Sequence, residues 1–176
     1  MKKMTSMVAV AAIVFSGFAA CAQDKEDKSK RPSPPAKVTQ TIKSGAVITI
    51  DYSRPSIKGR TIGKDLEPKT GQVWRTGANE ATIFETSKDI KVNDGNLPAG
   101  KYSMFSIAEE GEWTIIFNKT WNQWGAFDYK MADDALRVKA KATKGNPPAE
   151  KFTITVDADG TTKLLWGEYA VSFVLQ

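Results

Sequence analysis

Residues 46–53 read Ala46-Val47-Ile48-Thr49-Ile50-Asp51-Tyr52-Ser53. Ala46, Ile48, Ile50 and Tyr52 alternate with Val47, Thr49, Asp51 and Ser53. Successive side chains of an extended chain point to opposite faces, so this period of two predicts a strand with one face in a core and the other toward solvent. The pattern recurs at Leu136, Val138, Ala140 and Ala142, at Phe152, Ile154 and Val156, and at Tyr169, Val171, Phe173 and Leu175. Tyr102 to Ile107 and Trp113 to Phe117 are richer in apolar residues, as central strands of a packed sheet are. Turn-forming clusters separate the runs: Asn93-Asp94-Gly95-Asn96, Pro98-Ala99-Gly100, Glu110-Gly111-Glu112, Gly145-Asn146-Pro147-Pro148 and Asp157-Ala158-Asp159-Gly160. The reading is an all-β chain of about nine short strands, folded as a single antiparallel β-sandwich of jelly-roll or immunoglobulin-like type. The one helical candidate is a turn or two near Asp128 to Ala135.

Working outward, the N-terminus reads as an export signal over residues 1–20, with Lys2 and Lys3 before an apolar run from Met7 to Ala20. That run is too short to cross a bilayer comfortably. Phe18-Ala19-Ala20-Cys21 resembles a bacterial lipobox with Phe in place of the usual Leu, which makes Cys21 a lipidation candidate. The alternative is an A-x-A-type site at Ala20-Cys21-Ala22, cut before Gln23. Either way the folded part is expected outside the cytoplasm, as a periplasmic, outer-membrane-anchored or secreted protein. Residues 21–36 follow as a charged, Pro-containing tether, because the segment holds no large apolar residue. Residues 37–176 are then one domain.

Composition excludes several chemistries. The chain has no His. Histidine-based triads, proton shuttles and His-ligated metals are therefore ruled out. Its single Cys is Cys21, so no disulfide framework, thiolate cluster or catalytic thiol belongs to the domain. No metal site and no cofactor are expected. Nucleic acid is not an expected partner, since the domain is not strongly basic and carries no binding motif. Contact with a membrane is expected only through a lipid on Cys21.

Two connections are longer than a compact sandwich needs, residues 54–77 and 118–129, and long ordered loops are where function collects. At these loops and the strands beside them the motifs Ser33-Pro34-Pro35-Ala36, Asp51-Tyr52-Ser53-Arg54-Pro55, Val73-Trp74-Arg75-Thr76-Gly77-Ala78-Asn79-Glu80-Ala81-Thr82, Leu97-Pro98-Ala99-Gly100-Lys101-Tyr102-Ser103, Trp113-Thr114-Ile115-Ile116-Phe117-Asn118-Lys119 and Gln123-Trp124-Gly125 occur in order. In these the chain resembles a bacterial domain-of-unknown-function family, number 2911. The resemblance implies an exported, mostly β protein. It supplies no catalytic residues.

The chemistry must therefore be read from the residues. Residues 54–75 hold six basic and two acidic side chains, a net of +4, while residues 37–176 as a whole carry 19 basic and 17 acidic, a net of +2. The rest of the domain is thus −2, and the positive charge is concentrated in one loop. Arg54, Arg60 and Arg75 suit planar contacts with carboxylate, phosphate or sulfate. The alternative is that these arginines pair with Asp51, Glu80 and Glu85. Trp74, Trp121 and Trp124, with Asn79 and Gln123, could stack on sugar rings and hydrogen-bond their hydroxyls. The alternative is that the tryptophans plug the core. Asp51 and Glu80 are weak candidates for a catalytic carboxylate pair. Glu80 reads better as the partner of Arg75 or Arg54. The expected function is a non-catalytic module binding a glycan or another polar or anionic ligand. The alternatives are a structural or interaction protein of the cell envelope, and a glycoside-type hydrolase using Asp51 and Glu80.

Overall fold

A computed structural model describes residues 27–176. The expected signal segment, residues 1–20, and the lipidation candidate Cys21 lie outside the described residues. Ten strands are present among the described residues: β1 (Pro35–Thr41), β2 (Val47–Ser53), β3 (Val73–Trp74), β4 (Thr82–Thr86), β5 (Ile90–Val92), β6 (Gly95–Leu97), β7 (Gly100–Ala108), β8 (Glu112–Asn118), β9 (Asp134–Val156) and β10 (Thr161–Val174). The expected helical turns near residue 131 are a single 3-10 turn, Met131–Asp133. Among the described residues there is no α-helix. The described residues are all-β, with antiparallel strand pairing.

The sheet arrangement departs from the expected pair of sheets. Eight strands share one sheet in the order β1-β2-β4-β7-β8-β9-β10, with β3 also paired to β7, while β5 and β6 form a separate hairpin. The sheet curls. Beyond β2 the chain meets the second half of β9, where Phe152 N donates to Pro55 O at 2.9 Å and Ile57 N to Glu150 O at 3.0 Å. Arg54 clamps the same junction, with Nε donating to Phe152 O at 3.1 Å and Nη2 to Thr153 Oγ1 at 2.8 Å.

That return depends on two long, bent strands where the sequence pattern suggested three short ones. Gly145-Asn146-Pro147-Pro148, expected as a turn, bulges within β9. The register passes from Tyr169↔Lys144 to Gly167↔Ala149, leaving four residues of β9 opposite one of β10. Gly167 sits at φ +56°, which a residue without Cβ accepts readily. The bulge also flips the inward parity of β10. Leu164 and Trp166 are buried before it, and Val171, Phe173 and Leu175 after it. Tyr169 shares the later parity, but it lies at the bulge and stands 40% exposed.

The alternation predicted for residues 46–52 is present: Ala46, Ile48, Ile50 and Tyr52 are buried. Phe152 stands at the centre of an edge-to-face aromatic group, with ring centroids 5.7 Å from Tyr52, 5.1 Å from Trp74 and 6.1 Å from Trp166. Such contacts add to simple area burial, so the core is tied across the curl by rings from four separate segments.

The tight turn between β9 and β10 gives a direct check of this packing. Gly160 has φ +89°, and an added Cβ would lie 1.8 Å from the Leu175 carbonyl oxygen. Gly111 has φ +73° with open space around it. Gly111→Ala should cost about 1 kcal/mol from backbone strain alone. Gly160→Ala should cost at least about 3 kcal/mol, lowering Tm by about 6–12 °C. Thermal unfolding of the two variants measures the difference, and equal small losses would show that the C-terminal strand does not pack on Gly160.

Candidate functional site

The basic loop is folded onto the domain by its own polar groups. Arg60 donates from Nε to Ile57 O at 3.1 Å and from Nη2 to Ser56 O at 2.7 Å, closing a turn. Asp65 accepts from Thr61 N and Glu67 from Lys69 N. Trp166 Nε1 donates to Glu67 O at 2.8 Å, and Gly71 N bonds Ala108 O at 2.9 Å, so the loop is stitched down at two further places. Its arginines do not pair with Asp51, Glu80 or Glu85. Asp51 bonds Lys37 at 3.1 Å, and Glu85 bonds Lys101 at 3.3 Å.

The loop ends in a strained turn. Thr76 at φ 50° and Asn79 at φ 60° both occupy the left-handed region, and for a β-branched residue such as Thr76 this is a true outlier. Buried hydrogen bonds hold it there: Thr76 Oγ1 to Ser106 Oγ at 2.9 Å, and Thr82 Oγ1 to Thr76 O at 2.6 Å. Asn79 Nδ2 donates to Ser33 O at 3.0 Å and Ser53 Oγ at 3.2 Å. Strain of this kind persists only where the surroundings over-determine it, and it gathers at working sites.

Within this turn lies Arg75. Its Nη1 donates to Asn79 O at 2.7 Å, and its guanidinium stands 5.6 Å from the Phe127 ring centre. Among the described residues it has no carboxylate partner within ion-pair distance. Burial pulls its pKa down, against a weaker opposing pull from the Glu67 charge. A cavity of about 300 Å³ opens beside it, walled by Arg60, Asp65, Glu67, Arg75, Asn79 and Trp166 among others. Four of the nine predicted ligand-binding residues, Arg60, Trp74, Arg75 and Asn79, line this space. Arg54 is instead the clamp on β9. Trp74 contributes only a buried edge, being 2% exposed with Nε1 bonded to Gly77 O at 3.0 Å, so it is chiefly core.

The other long loop forms a neighbouring surface. Gln123 Nε2 donates to Ser103 Oγ at 3.1 Å, and Gln123 O accepts from Ala81 N at 3.1 Å. Its side chain is therefore an anchor for the loop, although Oε1 is buried without a partner. Trp121 and Trp124 are exposed, as is Phe127, which sequence reasoning passed over in favour of the larger tryptophans. Also missed was a larger cleft of about 750 Å³ between residues 57–70 and the β9–β10 bulge, lined by Ile57, Arg60, Trp113, Lys144 and Tyr169 among others. The turn cluster Glu110-Gly111-Glu112 contributes two residues to its wall, and Gly145-Asn146-Pro147-Pro148 follows Lys144 at its edge. Arg60 belongs to both cavities.

Glu80 takes partners that the sequence reading assigned elsewhere. Lys28 Nζ lies 2.8 Å from its Oε1, and Arg31 Nη1 reaches both oxygens at 3.0 and 2.9 Å. These cations come from residues 27–36, within the stretch expected as tether. That stretch forms a 3-10 turn at Lys28–Lys30 and joins the sheet from Pro35. The pairing follows from supply: two cations flank one carboxylate, whereas Arg75 and Arg54 already have carbonyl acceptors. Burial raises the Glu80 pKa, but hydrogen bonds from Lys28, the backbone and Arg31 outweigh it and hold the carboxyl at about 2. A carboxyl so held is ionised at neutral pH and is poorly suited to donate a proton as a glycosidase acid must.

The depressed pKa sets a pH dependence. Glu80 contributes stability that is complete above its ordinary value of 4.5 and is lost as pH falls through about 2. With the side chain about a third exposed, screening keeps the effect modest. Urea unfolding across this acid range should show stability falling in the parent and a shallower fall in Glu80→Gln. Parallel curves would remove Glu80 as the acid-sensitive link to the N-terminal segment.

No curated protein and no solved structure matches the chain. A family model described as "Protein of unknown function (DUF2911)" matches residues 33–175, spanning both long loops, both cavities and every strand from β1 onward. The chain therefore belongs to the DUF2911 family.

Proposed function

We propose that this protein is a non-catalytic binding module for a glycan or another polar, anionic ligand, held along the groove that Arg60 shares between the two cavities. The observation that carries this reading is Arg75: a half-buried guanidinium without a carboxylate partner among the described residues, facing a cavity beside Arg60. A partly desolvated guanidinium with no carboxylate bonded to it, although Glu67 acts on it from farther off, can take up an incoming anion directly. The strained turn at Thr76 and Asn79 supports the same place. The half-exposed Tyr169 ring in the larger cleft offers a stacking face for an extended ligand. The protein is read as exported, periplasmic or anchored to the outer membrane through a lipid on Cys21. The bend that brings the second half of β9 opposite β2 supports a sandwich or jelly-roll classification of the curled sheet.

A second reading, a cell-envelope interaction protein, draws on the exposed Trp124 and Phe127. A carboxylate-pair hydrolase draws less support, since Asp51 and Glu80 each sit against their own cations.

The test is calorimetric titration with sulfate, phosphate, glucuronate and acidic oligosaccharides. Binding of at least one should fall about tenfold or more in Arg75→Gln, equivalent to about 1.4 kcal/mol. Stability of that variant should change by no more than about 1 kcal/mol, the worth of its one carbonyl bond. Silence of the whole screen, with severe destabilisation by Arg75→Gln, would make Arg75 structural and end the binding reading.

A further inference from the structure

The loop between β8 and β9 presents four large apolar side chains to solvent: Trp121 at 41%, Trp124 at 53%, Phe127 at 78% and Met131 at 65% exposure. A cation lies over each ring. Lys101 Nζ stands 4.9 Å from the Trp121 centre, Arg31 6.0 Å from Trp124, and Arg75 5.6 Å from Phe127. Lys119 and Lys130 are exposed on the same loop, with Asp128 and Asp133 as opposing charges. Amphipathic rings beside long cationic side chains fit the boundary between lipid headgroups and acyl chains. There the rings shed water, while the exposed Lys119 and Lys130, rather than Lys101 and Arg31 already paired with Glu85 and Glu80, reach phosphate.

The N-terminal segment meets the domain at this same place. Lys28 and Arg31 bond Glu80, and Glu80 pairs through its backbone with Trp124. Cys21 precedes Asp27 by six residues. Even fully extended, six residues span only about 20 Å. A domain of this size has a radius of gyration of about 14 Å and is about 40 Å across. A lipid on Cys21 would therefore hold the face where the chain joins the domain toward the bilayer. The opposite face could not reach it.

We propose that the exposed aromatic loop is a membrane-docking surface, seated in the headgroup region of the bilayer when the chain is anchored at residue 21. The proposal rests on Cys21 as the anchor; the surface shares Arg75, beside Phe127, with the proposed anion site, but its test reads tryptophan quenching and not anion binding.

The only thiol in the chain allows a test that bypasses cellular lipidation. A chain beginning at Cys21 is coupled to maleimide-bearing lipid in vesicles of phosphatidylethanolamine and phosphatidylglycerol, with brominated acyl chains as quenchers of tryptophan emission. Trp74, Trp113 and Trp166 are buried in the core, so quenching reports on Trp121 and Trp124. A control chain carries Cys21→Ser with Glu110→Cys, which hangs the domain from the far end of β8. Quenching should be at least twofold stronger for the Cys21-coupled chain than for the control. It should drop when Phe127→Ser and Met131→Ser are combined, exposed positions whose replacement spares the core. Absent quenching, equal quenching from both attachment points, or quenching indifferent to the double substitution would each overturn the proposal.

Discussion

The second half of β9 reaches the segment after β2 because the β9–β10 pair bends at Gly145–Pro148 and Gly167. Were these strands straight, Phe152 would be carried away from Tyr52 and Trp74, and the Arg54 clamp would have no carbonyl to hold. Both cavities border this bend. The larger is framed by the bulge itself, and the smaller lies beneath the loop that Trp166, one residue before the bulge, pins through Glu67. The irregularity thus does two things: it lets the sheet curl over one core, and it leaves openings at the point where pairing is interrupted.

Electrostatics then divides the cations into two kinds. Lys28 and Arg31 converge on Glu80 and tie the N-terminal segment to the turn at residues 75–80. Arg75, a few residues before Glu80, is denied that carboxylate and is satisfied only by a neutral carbonyl. Because Glu80 is already occupied, Arg75 keeps unspent charge in a partly dry setting. Arg75 is held instead by the Asn79 carbonyl and the face of Phe127, and borders the smaller cavity.

Much of this was legible in the residues. The alternation at residues 46–52, 136–142 and 152–156 marked true inward faces, because a period of two is a local property of extended chain. The concentration of charge in residues 54–75 marked a loop that does border both cavities. What was not legible is non-local. Sequence alone could not join short strands across Gly145-Asn146-Pro147-Pro148, because turn-forming residues also build bulges. It favoured Trp74 as a ligand platform, although the same residue type serves equally well as core. It could not place Lys28 and Arg31 on Glu80, some fifty positions away, since pairing at that distance is decided by the fold. Phe127 escaped notice because exposure, not residue type, distinguishes it.

The closure between the start of the basic loop and β9 joins residues far apart in the chain: Arg54 to Phe152 is a separation of 98, and Trp166 to Glu67 one of 99. Contacts at such range repay the entropy of closing the chain only late, which slows folding and makes it wait on the whole sequence. The last strand carries Val171, Phe173 and Leu175 into the core, so a nascent chain lacking it has no completed interior to collapse upon. The part already synthesised cannot lock, and the domain closes only once its final strand is available to complete the core.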